Sequence, residues 1–189
     1  NRPSHEGAAA EADRAAATCL QGGFQKVLLR GDTDFTQTKH LDRWDADDRV
    51  EFLFGMDVRA SSHVLVDDLP ENAWRTLRRP PRYEVQTQPR AKPENVKQRI
   101  VRERAYQNIR LLWEEVAETE YQPTACDKPY RLIAVRKNLS VERGQQVLFE
   151  DYRYFLYLTN DWETPAEELV LLANGRCNQE NLNAQLKSG

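Results

Sequence analysis

The first 58 residues alternate between helix-type and strand-type patterns, and that alternation constrains the fold more than any other feature. An alanine-rich run to Leu20 has high helix propensity, with Ser4 placed to cap it, Glu6 in its first turn and Gly22-Gly23 to stop it. The stretch from Phe24 to Arg30 then reads as a short, mostly buried strand ending at Gly31. A short polar helix over Thr36 to Asp47 follows, and then an apolar β-type run from Val50 to Val58. Helix, strand, helix, strand implies parallel α/β organisation. Sheets of that kind present functional side chains at the carboxyl ends of their strands, which is where Asp32 falls.

From Ser61 the character changes. Prolines gather at Pro70, Pro80, Pro81, Pro89 and Pro93, regular alternation fades, and residues 61 to 150 read as an insertion into a core made of residues 1–60 and 150–189. Within the insertion Tyr130–Arg136 reads as a strand, and Tyr152–Thr159 just after it does too. Val96–Val116 fits helix or strand. Near the end, Thr164-Pro165-Ala166-Glu167 combines an N-cap, a proline at the first helical position and a capping-box glutamate. The helix they start is expected to bend at Asn174-Gly175 and to resume from Arg176 to Lys187. A chain of 189 residues is the size of one domain.

Composition narrows the functional classes. Charged residues make up 30% of the chain and no run of about 18 apolar residues occurs, so no membrane span is expected. Cys19, Cys126 and Cys177 are too far apart for a paired zinc motif and odd in number for a disulfide framework, which makes a reducing, cytoplasmic setting the default. The chain opens Asn1-Arg2-Pro3-Ser4, without an initiator methionine or a signal pattern, and reads as an internal piece of a longer protein. The net charge of -3 conceals a basic middle: between Arg75 and Arg110 there are eleven lysines and arginines against three glutamates. A stretch of that kind suits phosphate neutralisation as well as it suits an ordinary solvated surface.

Two places carry residue types that suggest chemistry. On the last helix Arg176, Glu180, Asn183 and Lys187 are spaced by four, three and four residues, so at roughly 100° per residue they share one stripe. A carboxylate flanked by two cations and an amide suits a divalent metal beside a phosphate backbone; an amphipathic helix with solvated charges has the same pattern. Asp32-Thr33-Asp34 either caps the next helix or supplies a second carboxylate from a strand end. One carboxylate at a strand end and another on a later helix is how a fold assembles a two-metal phosphodiester site from distant sequence.

Arg30-Gly31-Asp32-Thr33-Asp34-Phe35 resembles the segment around the second aspartate of bacterial insertion-sequence transposases of the DDE, ribonuclease H-like superfamily. Arg176-Cys177-Asn178-Gln179-Glu180, continuing to Leu186-Lys187, resembles their Tyr-x-x-Arg-x-x-x-Glu-x-x-x-x-x-x-Lys motif. Arginine, glutamate and lysine match in spacing, whereas Ala173 stands where the motif has tyrosine. The resemblance implies a ribonuclease H-like mixed sheet flanked by helices, with a β-rich insertion before the last core helix and with the first core strands, including the first catalytic aspartate, outside this chain.

It further implies that Asp32 and Glu180 are catalytic ligands of two Mg²⁺ or Mn²⁺ ions, and that the parent protein cuts DNA at transposon ends and joins the freed 3′-hydroxyl to target DNA. The partners would be transposon-end and target DNA and a second copy in a synaptic homodimer, in the nucleoid-bearing cytoplasm of a bacterium. Arg176, Lys187 and Asn183 are assigned to phosphate contacts, and Arg78, Arg79, Arg99 and Arg102 of the basic middle to flanking DNA. The fragment alone is expected to bind DNA weakly and to lack cleavage activity. Two other readings share the fold: a catalytically inactive DNA-binding relic or domesticated protein, and a ribonuclease H-like nuclease without strand transfer. Trp74, Trp113 and Trp162 fit core packing better than base stacking, and His5, His40 and His63 have no ligand-like spacing.

Overall fold

A computed structural model describes residues 7–33, 36–80, 95–143, 146–149 and 152–175. Helix α1 (Ala8–Gln21) ends at Gly22 and Gly23, and Gly23 turns the chain at φ 93°, a conformation that glycine adopts without strain. The Ser4 cap lies outside the described residues. Strand β1 (Val27–Gly31) follows, then a 3₁₀ turn (Thr38–His40) running into the short helix α2 (Leu41–Asp45), and strand β2 (Val50–Met56). β1 and β2 pair in parallel, as the alternation requires.

The remaining elements are α3 (Ala60–Asp67), the two-residue β3 (Arg75–Thr76), α4 (Val96–Glu103), β4 (Gln107–Tyr121), β5 (Tyr130–Arg143), β6 (Gln146–Phe149), β7 (Tyr152–Thr159) and α5 (Ala166–Asn174). The ambiguous stretch from Val96 to Val116 is helix first and strand afterwards. Its helix is capped by Asn95, whose side-chain oxygen accepts from the Lys97 and Gln98 amides at 3.1 and 3.3 Å. The strands form one mixed sheet in the order β1-β2-β7-β5-β4-β3, with β6 beside β5. Strands from residues 61–150 therefore extend the same sheet that β1 and β2 begin.

Strand alternation sorts the core into two layers. Phe52, Phe54, Leu132, Ala134, Leu156 and Leu158 face α1, α2 and α3, where Ala9, Ala16, Leu41, Trp44 and Val66 complete one cluster. Leu53, Ile133, Val135 and Val116 face the other way, against Ala166, Leu169 and Val170 of α5. Both neighbours along β2 and β5 are buried, which explains why these strands read as continuous apolar runs rather than as alternating ones.

Helix α5 starts one residue later than its sequence signal suggests. Pro165 is the N-cap, with φ -53° and ψ 139°, and Thr164 instead gives its amide to Asp161 Oδ1 at 2.9 Å. The preceding loop is fixed by Arg131, which is 5% exposed and donates to the Asp161 and Thr164 carbonyls at 2.8 and 2.7 Å. Among the described residues no helix is long and apolar enough to cross a membrane, and Cys19 and Cys126 are free thiols.

Candidate functional site at the carboxyl ends of β1 and β2

Gly31 is the last residue of β1 and pairs with Phe54, so Asp32 emerges from the sheet beside Gly55 of β2. The two segments are in close contact. A Cβ on Gly55 would stand 3.2 Å from the Thr33 nitrogen and 3.5 Å from the Asp32 carbonyl carbon, so a glycine at this position lets β2 lie against the Asp32 turn. The Thr36 hydroxyl donates to the Gly55 carbonyl and lies 3.4 Å from that of Asp32, tying the returning chain to both strands. The Thr36 amide reaches back to the Thr33 carbonyl at 3.4 Å. Asp32 is thus held on a short, cross-linked turn, half-buried, at the edge where a parallel pair displays its chemistry.

A cleft of about 500 Å³ opens over this turn. Asp32, Thr33, Met56 and Asp57 line one wall, and Ala173 and Asn174 at the end of α5 line the other. Arg30 holds the two walls together: its Nη1 donates to the Leu172 carbonyl at 2.6 Å, beside the Gly175 amide that the same carbonyl accepts at 3.1 Å, and places a cation at the negative end of the helix dipole. In sequence Asp57 falls within the apolar run from Val50 to Val58 and carries no motif, whereas β2 ends one residue before it. Only the register, which sets β1 and β2 side by side, brings it to the edge that Asp32 occupies.

Glu180, Arg176, Asn183 and Lys187 lie outside the described residues, as does Asp34. The described chain ends at Gly175, at the rim of this cleft and five residues before Glu180. Ala173, which stands at the motif tyrosine's position, faces the cleft. Among the described residues no group of three or more histidine, cysteine, aspartate or glutamate side chains is arranged to hold a metal ion. Asp32 and Asp57 are hard oxygen donors of the kind Mg²⁺ prefers, and alone they make an incomplete set.

The basic middle divides into engaged and available charges. Arg79 is engaged: its Nε and Nη2 donate to Glu114 at 2.5 and 3.1 Å, and Lys137 adds a third contact to the same carboxylate at 2.8 Å. Burial pushes the Glu114 carboxyl up, but the hydrogen bonds from Arg79 and Lys137 outweigh it, and the group stays below the usual glutamate range. Arg75 bridges Glu118 and Glu167 at 3.0 Å each. On α4, Arg99 lies 3.7 Å from Glu103, while Arg102 and, near β3, Arg78 are exposed without a carboxylate in pairing range among the described residues.

Of the tryptophans, Trp74 is buried and Trp162 is half exposed. The Arg136 guanidinium lies 4.4 Å from the Trp74 ring and 5.4 Å from that of Trp113, and it is also paired with Glu71 and Glu115. Two of the three tryptophans thus serve a structural stack.

Comparisons with protein-family models, with curated proteins and with solved structures find no match to this chain.

Proposed function

We propose that this chain is part of the catalytic domain of a DDE-type transposase with a ribonuclease H-like core, whose parent cleaves DNA at transposon ends and transfers the strand to target DNA. The observation that carries the reading is the cleft that joins the Asp32 turn to the end of α5, the helix that leads into the Arg176-to-Glu180 motif. Asp32 and Glu180 serve as ligands, together with the aspartate expected upstream. With Mg²⁺ or Mn²⁺ held there, two ions in the complete site, the metal would supply activation of a water and stabilisation of the leaving oxygen.

The chain's own part is positional. The Thr36 hydroxyl and the close β1–β2 approach at Gly55 hold the backbone that carries Asp32, and Arg30 holds the end of α5. Arg176, Asn183 and Lys187 contact phosphates, and Arg78, Arg99 and Arg102 meet flanking DNA. Arg79, held by Glu114, serves the scaffold instead. The synaptic complex is a homodimer acting in the bacterial cytoplasm.

The test is metal-dependent cleavage of a transposon-end duplex by the full-length parent. Asp32→Asn and Glu180→Gln should each abolish it, and joined products should appear when target DNA is added. Cleavage without joining would point to a plain nuclease. The second reading, an inactive DNA-binding relic, draws on Ala173 in place of the motif tyrosine; DNA binding without any cleavage would favour it.

A further inference from the structure

A second, smaller cleft of about 270 Å³ adjoins the first on the side of α3 and the 122–125 loop. The two share Thr33, Met56 and Asp57, so they are continuous around the carboxyl ends of β1 and β2. Their chemistry differs. The first is walled by the α5 end and by β7, with Phe155 and Tyr157 among its residues. The second is lined by the hydroxyl-bearing residues Thr33, Thr38, Ser61 and Thr124, by Thr36, whose hydroxyl already donates to the Gly55 carbonyl, by one guanidinium, Arg59, and by the Asp57 carboxylate that it shares with the first.

Arg59 differs from the arginines that this fold holds in close ion pairs. Arg14, Arg43, Arg49, Arg75, Arg79, Arg131 and Arg136 all have a carboxylate within 3.0 Å. No carboxylate among the described residues pairs with Arg59, which is exposed at the cleft wall. Its backbone is occupied instead: the amide donates to Ser62 Oγ at 2.9 Å, which fixes the turn that carries the side chain. An unpaired guanidinium with hydroxyl donors about it matches a phosphate, which accepts several hydrogen bonds and complements a planar cationic fork. The first turn of α3 opens on the same space and adds positive potential to it.

We infer that this hydroxyl-lined cleft is a phosphate subsite, in which Arg59 binds a backbone phosphate of the DNA strand next to the one presented to Asp32. The inference rests on the proposed DNA substrate and extends it, giving the strand a path across the ends of β1 and β2. Contacts of this type fix register and carry no base preference.

The test is duplex DNA of arbitrary sequence bound to the full chain between 50 and 200 mM salt, with amide signals followed by NMR. Arg59→Gln should weaken binding about tenfold and flatten the plot of log affinity against log salt by about 0.9, while Arg59→Lys should keep the slope. The Thr33, Ser61 and Thr124 amides should shift with duplex in the wild-type chain and lose that response in Arg59→Gln, whose remaining spectrum should be unchanged. An unchanged slope overturns the inference, and so does a response of those amides to inorganic phosphate but not to duplex. A parent that never cleaves DNA but shows the Arg59 salt effect would remove the transposase reading and leave this subsite standing.

Discussion

Arg131→Met removes a buried guanidinium without shortening the side chain much, and it isolates how the start of α5 is held. In the wild-type protein the Arg131 Nε donates to Glu118 Oε2 at 2.7 Å, and Nη1 donates to the Asp161 and Thr164 carbonyls at 2.8 and 2.7 Å. Methionine leaves two partly buried carbonyls without that donor, each worth on the order of 1 kcal/mol. The lost ion pair adds less than a fully buried one would, because Glu118 is one-third exposed and keeps Arg75 at 3.0 Å.

The expected destabilisation is about 3 kcal/mol, read as a fall in Tm of roughly 6 to 12 °C for a chain of this size. Calorimetry on the 189-residue chain measures it, with Arg14→Ala as the surface control: its pair with Glu11 is exposed on both sides, and the change should stay within about 0.5 kcal/mol. A loss below about 1 kcal/mol for Arg131→Met would refute the reasoning.

The pH dependence follows from the same carboxylate. Burial raises the Glu118 pKa, but the hydrogen bonds from Arg131 and Arg75 lower it further, so the folded value lies below the unfolded one. Its contribution to stability is therefore complete above the ordinary glutamate pKa of about 4.3 and disappears as pH falls through the lower folded value. Arg131→Met should flatten that part of the acid limb.

Three further outcomes test the site and the core. Gly55→Ala should leave the melting temperature nearly unchanged, since reduced chain entropy offsets the 3.2 Å contact with the Thr33 amide, yet lower cleavage by the parent roughly 100-fold through displacement of Asp32; wild-type cleavage would count against the packing argument. Thr36→Val, which removes the hydroxyl joining the Gly55 carbonyl to the turn, should cost about 1 kcal/mol in denaturant titration, and a neutral effect would show that hydrogen bond to be inconsequential. Cys126, pushed up to about 11 by burial and then by Asp42 and Asp127, should resist thiol reagents at pH 8 until the chain unfolds, as mass spectrometry of alkylated peptides would show.

The parallel β1–β2 pair and the position of Asp32 were legible because both depend on local pattern: glycines that stop α1, an apolar run, then a glycine and a carboxylate. Strand β7 was equally clear, its observed limits coinciding with the apolar run from Tyr152 to Thr159. The extent of β5 was not. Its apolar half, Tyr130–Arg136, is visible in sequence, but the continuation to Arg143 includes Lys137, Asn138 and Ser140 and is held by pairing with β4 and β6 rather than by propensity. Asp57 and Arg59 were invisible for a related reason. They come together in one cleft only when long-range pairing sets β2 beside β1 and brings the 122–125 loop against α3.

The basic middle shows why a charge count is a poor guide to a binding surface. Eleven cations against three anions between Arg75 and Arg110 suggest a broad phosphate-binding face. The anions that matter lie elsewhere in the chain: Glu114 and Glu118 on β4 and Glu167 on α5 take up Arg79 and Arg75 once the sheet has formed. Those pairs join β3 and the segment after it to β4 and α5, so the same cations that look like nucleic-acid contacts in sequence hold the edge of the sheet. Among the described residues the cations of that stretch with no carboxylate in pairing range are Arg78, Lys97, Arg102 and Arg104, and Arg59 outside it joins them. At about 0.9 in the salt slope per neutralised phosphate, an interface using those five would show a slope of about 4.5 from the described residues, roughly half of what the eleven-residue count implies. On the proposed reading, the cations available to phosphates are therefore those the fold leaves without a carboxylate.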